Sequence, residues 1–373
     1  MSSTTSLQRI KHLLLSGAVF GLTAVFSGEL AFSTKIESVA ASTLDQQQQP
    51  TQTIAVVAGA TGRTGALTYK SLVESTQGKT SVRAIVRNAD KARKVLGCTT
   101  CDERDGIFVV DIASAEEANL RALDRAMVDA TSLIIATSAS PQCPHVGSGQ
   151  DREDQAQSSG SVVLGYPHSP ASHNPSHSPF RPEDCTYPPG QFPKDVDWDG
   201  GRRLVNAFAK AGGRGVVLIS ARGTTEPRSF LDRMGPDGYI SFYKLNLEAF
   251  VAAAGLDSFV ILKSCGLVDG PVSQNERDQK NTTASTSFVV GHDDEEAENP
   301  YRVMLRSDLA ALTAYSSSKR SLLDLRFDIC ASERAEIRPS KKQLADVLRQ
   351  ARRPWNNNTG KSSQYDVNGE IFT

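Results

Sequence analysis

The sequence predicts a doubly wound parallel α/β sheet in a single domain. Three observations predict it. Short apolar runs alternate with stretches of helical periodicity from Thr53 onward, the first run feeds a glycine-rich turn that opens a helix, and the composition is that of an ordinary globular protein. Of 373 residues, 39% are hydrophobic and 22% charged, with a formal net charge of -1. That balance provides no general attraction for nucleic acid or a membrane surface, so neither is expected as a partner.

Residues 1–51 read as a targeting presequence and spacer. Arg9, Lys11 and His12 precede an apolar run from Leu13 to Phe26, too short for the ~20 residues that cross a bilayer but suited to the core of a signal peptide. No span is therefore expected in the mature chain. The segment Glu29-Leu-Ala-Phe-Ser33, with a cut between Ala31 and Phe32, resembles the bipartite presequences of algae whose plastids lie inside extra membranes. A plastid location is the expectation, with secretion or the endomembrane system as the alternative. Phe32 to Thr53 is rich in Ser, Thr and Gln without hydrophobic periodicity, as a spacer is.

Residues 52–350 form the expected domain. Its strands are placed at 53–58, 81–86, 107–111, 132–137, 214–220, 258–263 and 322–330. Helical spacing marks 64–76, 115–127, 199–212, 243–254 and 307–317; in 243–254, Leu247, Phe250, Val251 and Ala254 share one side. Ser340 to Leu348 reads as a closing helix and 351–373 as a loose tail. The stretch 141–195 breaks the rhythm with Pro, Ser, His, Gly and Asp, and is expected to be a long, exposed loop insertion. Within it His145, His168, His173 and His177 have no carboxylate or cysteine at ligand spacing, so no metal is expected. The tripeptides at Asn281 and Asn357 match a glycosylation pattern that arises often by chance.

The six cysteines are spread over a chain long enough to bury its own core, which favours reduced thiols. Cys98 and Cys101 form a C-x-x-C pair, read as two thiols on a surface loop with redox sensing as the alternative; no second pair follows at zinc spacing.

The strongest local signal is the strand Thr53-Ile-Ala-Val-Val-Ala58 running into Gly59-Ala-Thr-Gly62-Arg-Thr-Gly65. Glycines there let the chain turn tightly, let backbone N–H groups approach a pyrophosphate, and let helix and strand pack closely. The helix N-terminus adds unpaired donors and a partial positive charge. A Rossmann-like dinucleotide site follows, because the strand before the motif and the helix after it are the context that it requires. The second strand ends in Arg87 rather than in the acidic residue that holds a ribose diol, and Arg63 in the loop can reach the same region. Two guanidinium groups suit a 2′-phosphate, so NADP is favoured over NAD.

The spacing Gly-x-x-Gly-x-x-Gly resembles the extended and atypical short-chain dehydrogenases/reductases, the NAD(P)-binding or NmrA-like group. Val196 to Ala207, Gly215 to Ser220, Tyr243-Lys244, Ile261 to Leu267 and Val290 to Asp294 are similar to the plant-type plastid members. The resemblance covers about residues 52–350. It implies that Gly59, Thr61, Gly62, Arg63, Thr64 and Gly65 hold the pyrophosphate and Arg87 the 2′-phosphate. It also implies Asp111 near the adenine, Thr137 and Ser138 near the ribose, and Ser264, Cys265 and Gly266 beside the nicotinamide.

Catalytic members carry a Tyr four residues before a Lys on one helix, where the lysine lowers the phenol's pKa and the phenol exchanges the substrate proton. Lys244 stands at the lysine position, able to bind the nicotinamide ribose, but the residue four before it is Ile240. Tyr239 and Tyr243 flank that position without replacing it. Ser220 matches the serine that polarises a carbonyl, with a hydrogen-bonded strand end as the plainer alternative. Two readings follow. One is an NADPH-dependent oxidoreductase on a small organic substrate, with Ser220, Tyr243 and Lys244 as its catalytic group; the other is a non-catalytic NAD(P)-sensing or scaffold protein with no small-molecule substrate. The oligomeric state is left open.

Overall fold

In the computed structural model the described residues are 53–76, 78–144, 181–226, 229–270, 287–294, 303–319, 324–333 and 338–352, with two short strands at 364–365 and 371–372. All lie in the unit Pro50–Thr373. The expected presequence, the four insertion histidines and both Asn tripeptides lie outside the described residues.

Thr53–Ala58 (β1) alternates its side chains between two buried faces, as a strand covered by helices on both sides does. Val56 and Ala58 enter one apolar cluster, Ala55 and Val57 the other. The chain continues through Arg63–Thr76 (α1), Thr80–Val86 (β2), Ala89–Leu96 (α2), Ile107–Val109 (β3), Glu117–Met127 (α3) and Ser132–Ile135 (β4). Gly201–Lys210 (α4), Gly215–Ala221 (β5), Ile240–Ala252 (α5) and Ser258–Ser264 (β6) follow. The last part holds Gly266–Val268 (β7), Ser287–Gly291 (β8), Val303–Leu305 (β9), Arg306–Ser318 (α6), Asp324–Glu333 (β10) and Lys341–Ala351 (α7).

The main sheet runs β3-β2-β1-β4-β5-β6-β10-β8, parallel except for β8, which is antiparallel to β10. The doubly wound expectation is met. Leu72 of α1, Leu309 and Leu312 of α6 and Leu344 of α7 cover one face with Phe327 of β10; Leu123, Leu204 and Leu247 from α3, α4 and α5 cover the other. Each fully buried side chain of this size contributes about 1.5–3 kcal/mol by leaving water.

Every expected strand and helix is present with ends displaced by a few residues. Apart from short helical turns and the strand pair at 364–365 and 371–372, which lies in the stretch expected to be a loose tail, four elements were not expected. The helix α2 is only eight residues long; its Asn88 accepts the Lys91 N–H at 2.8 Å and Gly97 ends it in the left-handed region. The strands β7, β8 and β9 are short and bounded by segments without a repeating pattern. The closing helix begins with a reciprocal cap between Ser340 and Gln343.

Two expectations are corrected. The cysteines are not reduced thiols: they pair as Cys98–Cys101, Cys143–Cys185 and Cys265–Cys330. The fold brings the distant partners together, since Cys265 donates its N–H to Ile329 at the edge of β10, and Gln142 pairs with Thr186 in an antiparallel bridge beside Cys143 and Cys185. The insertion is also not exposed throughout. Residues 181–195 pack against the domain, with Cys185 and Tyr187 buried, because Cys185, Tyr187 and Phe192 provide the apolar surface that the rest of the stretch lacks.

Candidate cofactor and active site

The glycine loop is shaped by close approach. A Cβ on Gly65 would stand 2.1 Å from the Gly59 carbonyl oxygen, so the first turn of α1 can only sit this tightly on β1 with glycine there. Gly62 donates its N–H to the Gly59 carbonyl at 2.9 Å and closes the turn. Beyond the carboxyl ends of β1, β2 and β4 a cleft opens. Gly59, Thr61, Gly62, Arg87, Asp111, Thr137 and Ser138 all line it, which gathers half of the residues expected to hold a cofactor.

Lys91 and Gln191 line the same cleft and were missed. The Asn88 cap fixes Lys91 in the first turn of α2, directly after Arg87, and neither cation pairs with a carboxylate among the described residues. The Asn88 and Gly97 caps were the signal that could have revealed that helix and its lysine. Arg63 behaves otherwise than expected. Its guanidinium lies 3.4 Å from Asp269, which also holds Arg306 at 2.8 Å, so it faces the end of β7 rather than Arg87. Burial and the neighbouring Arg306 lower its pKa. Thr64 accepts a hydrogen bond from Arg306 at 3.3 Å, behind the cleft.

The cleft fits a nucleotide on one further observation. The hydroxyl of Thr137 is buried and has no hydrogen-bond partner, an arrangement that costs about 1–3 kcal/mol unless a ligand supplies the bond.

Lys244 lies on α5, buried, with its Nζ 2.8 Å from Asp197. Asp197 belongs to a π-helical turn, Lys194–Gly200, that leads into α4. Its other oxygen accepts the N–H of Ala139 beyond β4, so one carboxylate ties the lysine to the cleft wall. The contact depends on Gly201, where a Cβ would meet the Leu247 side chain at 2.5 Å and push α5 away.

Ser220 does not face an open site. Buried at the end of β5, its hydroxyl donates to the Glu248 carboxylate of α5, and Glu248 also binds Arg326 at 2.8 Å. The plainer alternative, a hydrogen-bonded strand end, is what the structure contains. Strand register places Ser220 beside Lys263, and Lys263 beside Asp328. Lys263 lies 2.8 Å from Asp294 and 3.2 Å from Asp328, all three buried. Burial opposes ionisation of Asp294, but hydrogen bonds from Lys263, Thr225 and the Gly223 N–H bring its pKa down to about 2. Burial dominates at Asp328 and pushes its pKa up despite Lys263.

Tyr243 packs edge-on against Phe242 at 5.2 Å between centroids and does not join Ser220 or Lys244. Tyr239 is exposed at the start of α5. Ser264 donates to the Ser220 carbonyl at 3.3 Å, while Cys265 is bonded to Cys330 and Gly266 opens β7. The expected catalytic trio is therefore not assembled. Among the described residues, the side chains that could gather at a metal are Cys98, Cys101 and Asp105, and there the two sulfurs are joined to each other.

Comparison with known proteins places this architecture. The family model described as NAD(P)H-binding matches residues 59–293. Sanguinarine reductase of Eschscholzia californica is 30% identical over 57% of this chain and 68% of its own length. An uncharacterised chloroplastic protein of Arabidopsis thaliana is 27% identical over 68% of this chain, a match spanning 62% of the relative. Among solved structures, a putative NAD-dependent epimerase/dehydratase from Bacillus halodurans superposes with a TM-score of 0.47 at 16% identity, over 80% of this chain and 99% of that one. With the glycine loop and the cleft above it, the match to the NAD(P)H-binding family model and to sanguinarine reductase shows that the chain belongs to the NAD(P)H-binding family of atypical short-chain dehydrogenases/reductases.

Proposed function

We propose that the protein is an NADPH-dependent oxidoreductase acting on a small organic substrate in a plastid. The observation that carries the cofactor choice is the pair of cations, Arg87 and Lys91, on the wall of the cleft that the glycine loop begins. Two unpaired cations beyond β2 suit a 2′-phosphate and leave a ribose diol without its acidic acceptor. The chloroplastic relative supports the location, and the name of the poppy relative supports reduction as the reaction class.

In this reading the N–H groups around Gly59, Thr61 and Gly62, with Thr64 and Gly65 behind them, hold the pyrophosphate. Asp111 takes the adenine side, Thr137 and Ser138 the ribose. Lys244, fixed by Asp197, takes the nicotinamide ribose, and Ser264 to Gly266 border the nicotinamide. The bound nicotinamide supplies hydride. The chain supplies orientation, because the lysine and the Ala139 backbone are tied to the same carboxylate.

The alternative reading, a nucleotide-sensing or scaffold protein, is favoured by two observations: Ile240 stands where the family's phenol would be, and the Ser220 hydroxyl is committed to Glu248. Turnover separates the two. The full chain is expected to oxidise NADPH in the presence of at least one member of a panel of sanguinarine, quinones, aldehydes and enones, and to prefer NADPH to NADH. Binding of NADPH without consumption across that panel establishes the sensor reading instead.

A further inference from the structure

The described residues contain a phenol that the site uses nowhere. Tyr187 lies in the packed segment before the π turn, and its ring joins the buried cluster that holds Ile240, Ala139 and Val196. Its hydroxyl oxygen is buried and has no hydrogen-bond partner. Asp197, the residue that fixes Lys244, is close enough to act on the phenol electrostatically, as is Asp232. Four residues further on, Gln191 lines the cofactor cleft, so this short segment joins the cleft to the Lys244–Asp197 pair.

We propose that Tyr187 is the phenol of this active site: a hydrogen-bond donor to the oxygen of a carbonyl or quinone substrate, delivered from the segment before α4 instead of from α5. The inference rests on the oxidoreductase reading above. A helix that carries Ile240 at the expected position requires the donor to come from elsewhere, and Tyr187 enters the same buried cluster.

The backbone around Tyr187 is held as a positioned group requires. Cys185 is joined to Cys143, Thr186 exchanges both backbone hydrogen bonds with Gln142 at 2.8 and 2.9 Å, and Gln191 donates its N–H to Pro188 at 2.9 Å. On the other side, a Cβ on Gly235 would come 2.4 Å from the Cys185 carbonyl oxygen, so the turn after Phe230–Arg233 presses directly onto the segment. The ring itself is packed in the buried cluster, with its centroid 6.1 Å from that of Phe192. A phenylalanine would fill the same space without leaving an unpaired donor, so the hydroxyl has no use in the packing. Burial, with Asp197 and Asp232 nearby, raises the phenol's pKa, so the group stays protonated and acts by donating a hydrogen bond to the substrate oxygen.

The test is Tyr187→Phe in the full chain, read three ways. Thermal unfolding is expected at the wild-type temperature or above it, because an unpaired donor is removed. The calorimetric affinity for NADPH is expected to stay unchanged. With a quinone or aldehyde that the wild type reduces, kcat/KM is expected to fall at least about tenfold, the scale of losing one donor to a developing oxyanion. A variant that turns over as the wild type does overturns the assignment, and so does a midpoint lowered by several degrees, which reveals a structural partner for the hydroxyl. The wild-type arm is read first: a wild type that binds NADPH and reduces none of the panel overturns the oxidoreductase reading, and the role of Tyr187 falls with it.

Discussion

Along the carboxyl edge of one sheet, two regions treat their polar groups in opposite ways. Between β1, β2 and β4, Arg87 and Lys91 are exposed without carboxylate partners among the described residues, and Thr137 keeps a buried hydroxyl that none of them bonds. From β5 to β8, the polar groups engage one another: Ser220 with Glu248, Glu248 with Arg326, Lys263 with Asp294 and Asp328. Among the described residues the first region leaves its polar groups unengaged by other side chains. The second is a buried ionic lattice that joins α5, β5, β6, β10 and the end of β8. Residue type alone does not separate the two regions; what differs is whether each charged group already faces an opposite charge.

The largest effect expected from this contrast is in the brace. Asp294→Ala leaves Lys263 buried beside a raised-pKa Asp328 and frees the Gly223 and Thr225 N–H groups, and should cost about 3–5 kcal/mol in denaturant unfolding with NADPH affinity unchanged. The same residue sets an acid limit. Its pKa is depressed in the folded protein to about 2 from 3.8, so its contribution is complete above the unfolded value and disappears as the pH falls through about 2. Asp328 runs the other way: its pKa is raised, and its contribution is present below its unfolded value and lost as the pH rises through its folded value. Unfolding curves measured from neutral pH downward should show the acid limb in the wild type and a smaller one in Asp294→Asn.

The next effect is in the open region. Arg87→Ala and Lys91→Ala should each weaken NADPH binding about tenfold in calorimetry while NADH binding and the unfolding midpoint hold. An equal loss for both nucleotides would show that the cations do not read the 2′-phosphate. The smallest effect is the sharpest test. Ser220→Ala should lower stability by about 1–2 kcal/mol, the value of a buried hydrogen bond to a carboxylate, and leave turnover within about threefold. A collapse of turnover with intact stability would return the serine to catalysis and dissolve the contrast.

The sheet was legible because its signals are local. Each strand from β1 to β6 is a short apolar run, each long helix repeats its apolar residues every three or four positions, and the glycine loop sits between a strand and a helix. The cleft followed, since seven of its expected residues lie at strand ends or in that loop. Lys91 was hidden inside a short helix, half of whose eight residues are charged. The direction of Arg63 depends on Asp269, 206 residues away, and the engagement of Ser220 depends on Glu248 one helix later. The cysteine pairings depend on strand adjacency across 42 and 65 residues. Tyr187 was obscured by its neighbours, because a stretch dominated by Pro, Ser and His gave no sign that its last residues return to the core.

The pinch at Cys143 and Cys185 makes the two borders of the insertion a single anchorage, with the α-carbons 4.1 Å apart. Whatever chain departs from that knot comes back to it, so its length is geometrically uncoupled from the scaffold on which Gln191 and Tyr187 sit. The protein thereby has a splice point. Trimming the sequence there to a tight turn, or grafting in a reporter domain, is expected to leave the unfolding midpoint of the domain unchanged.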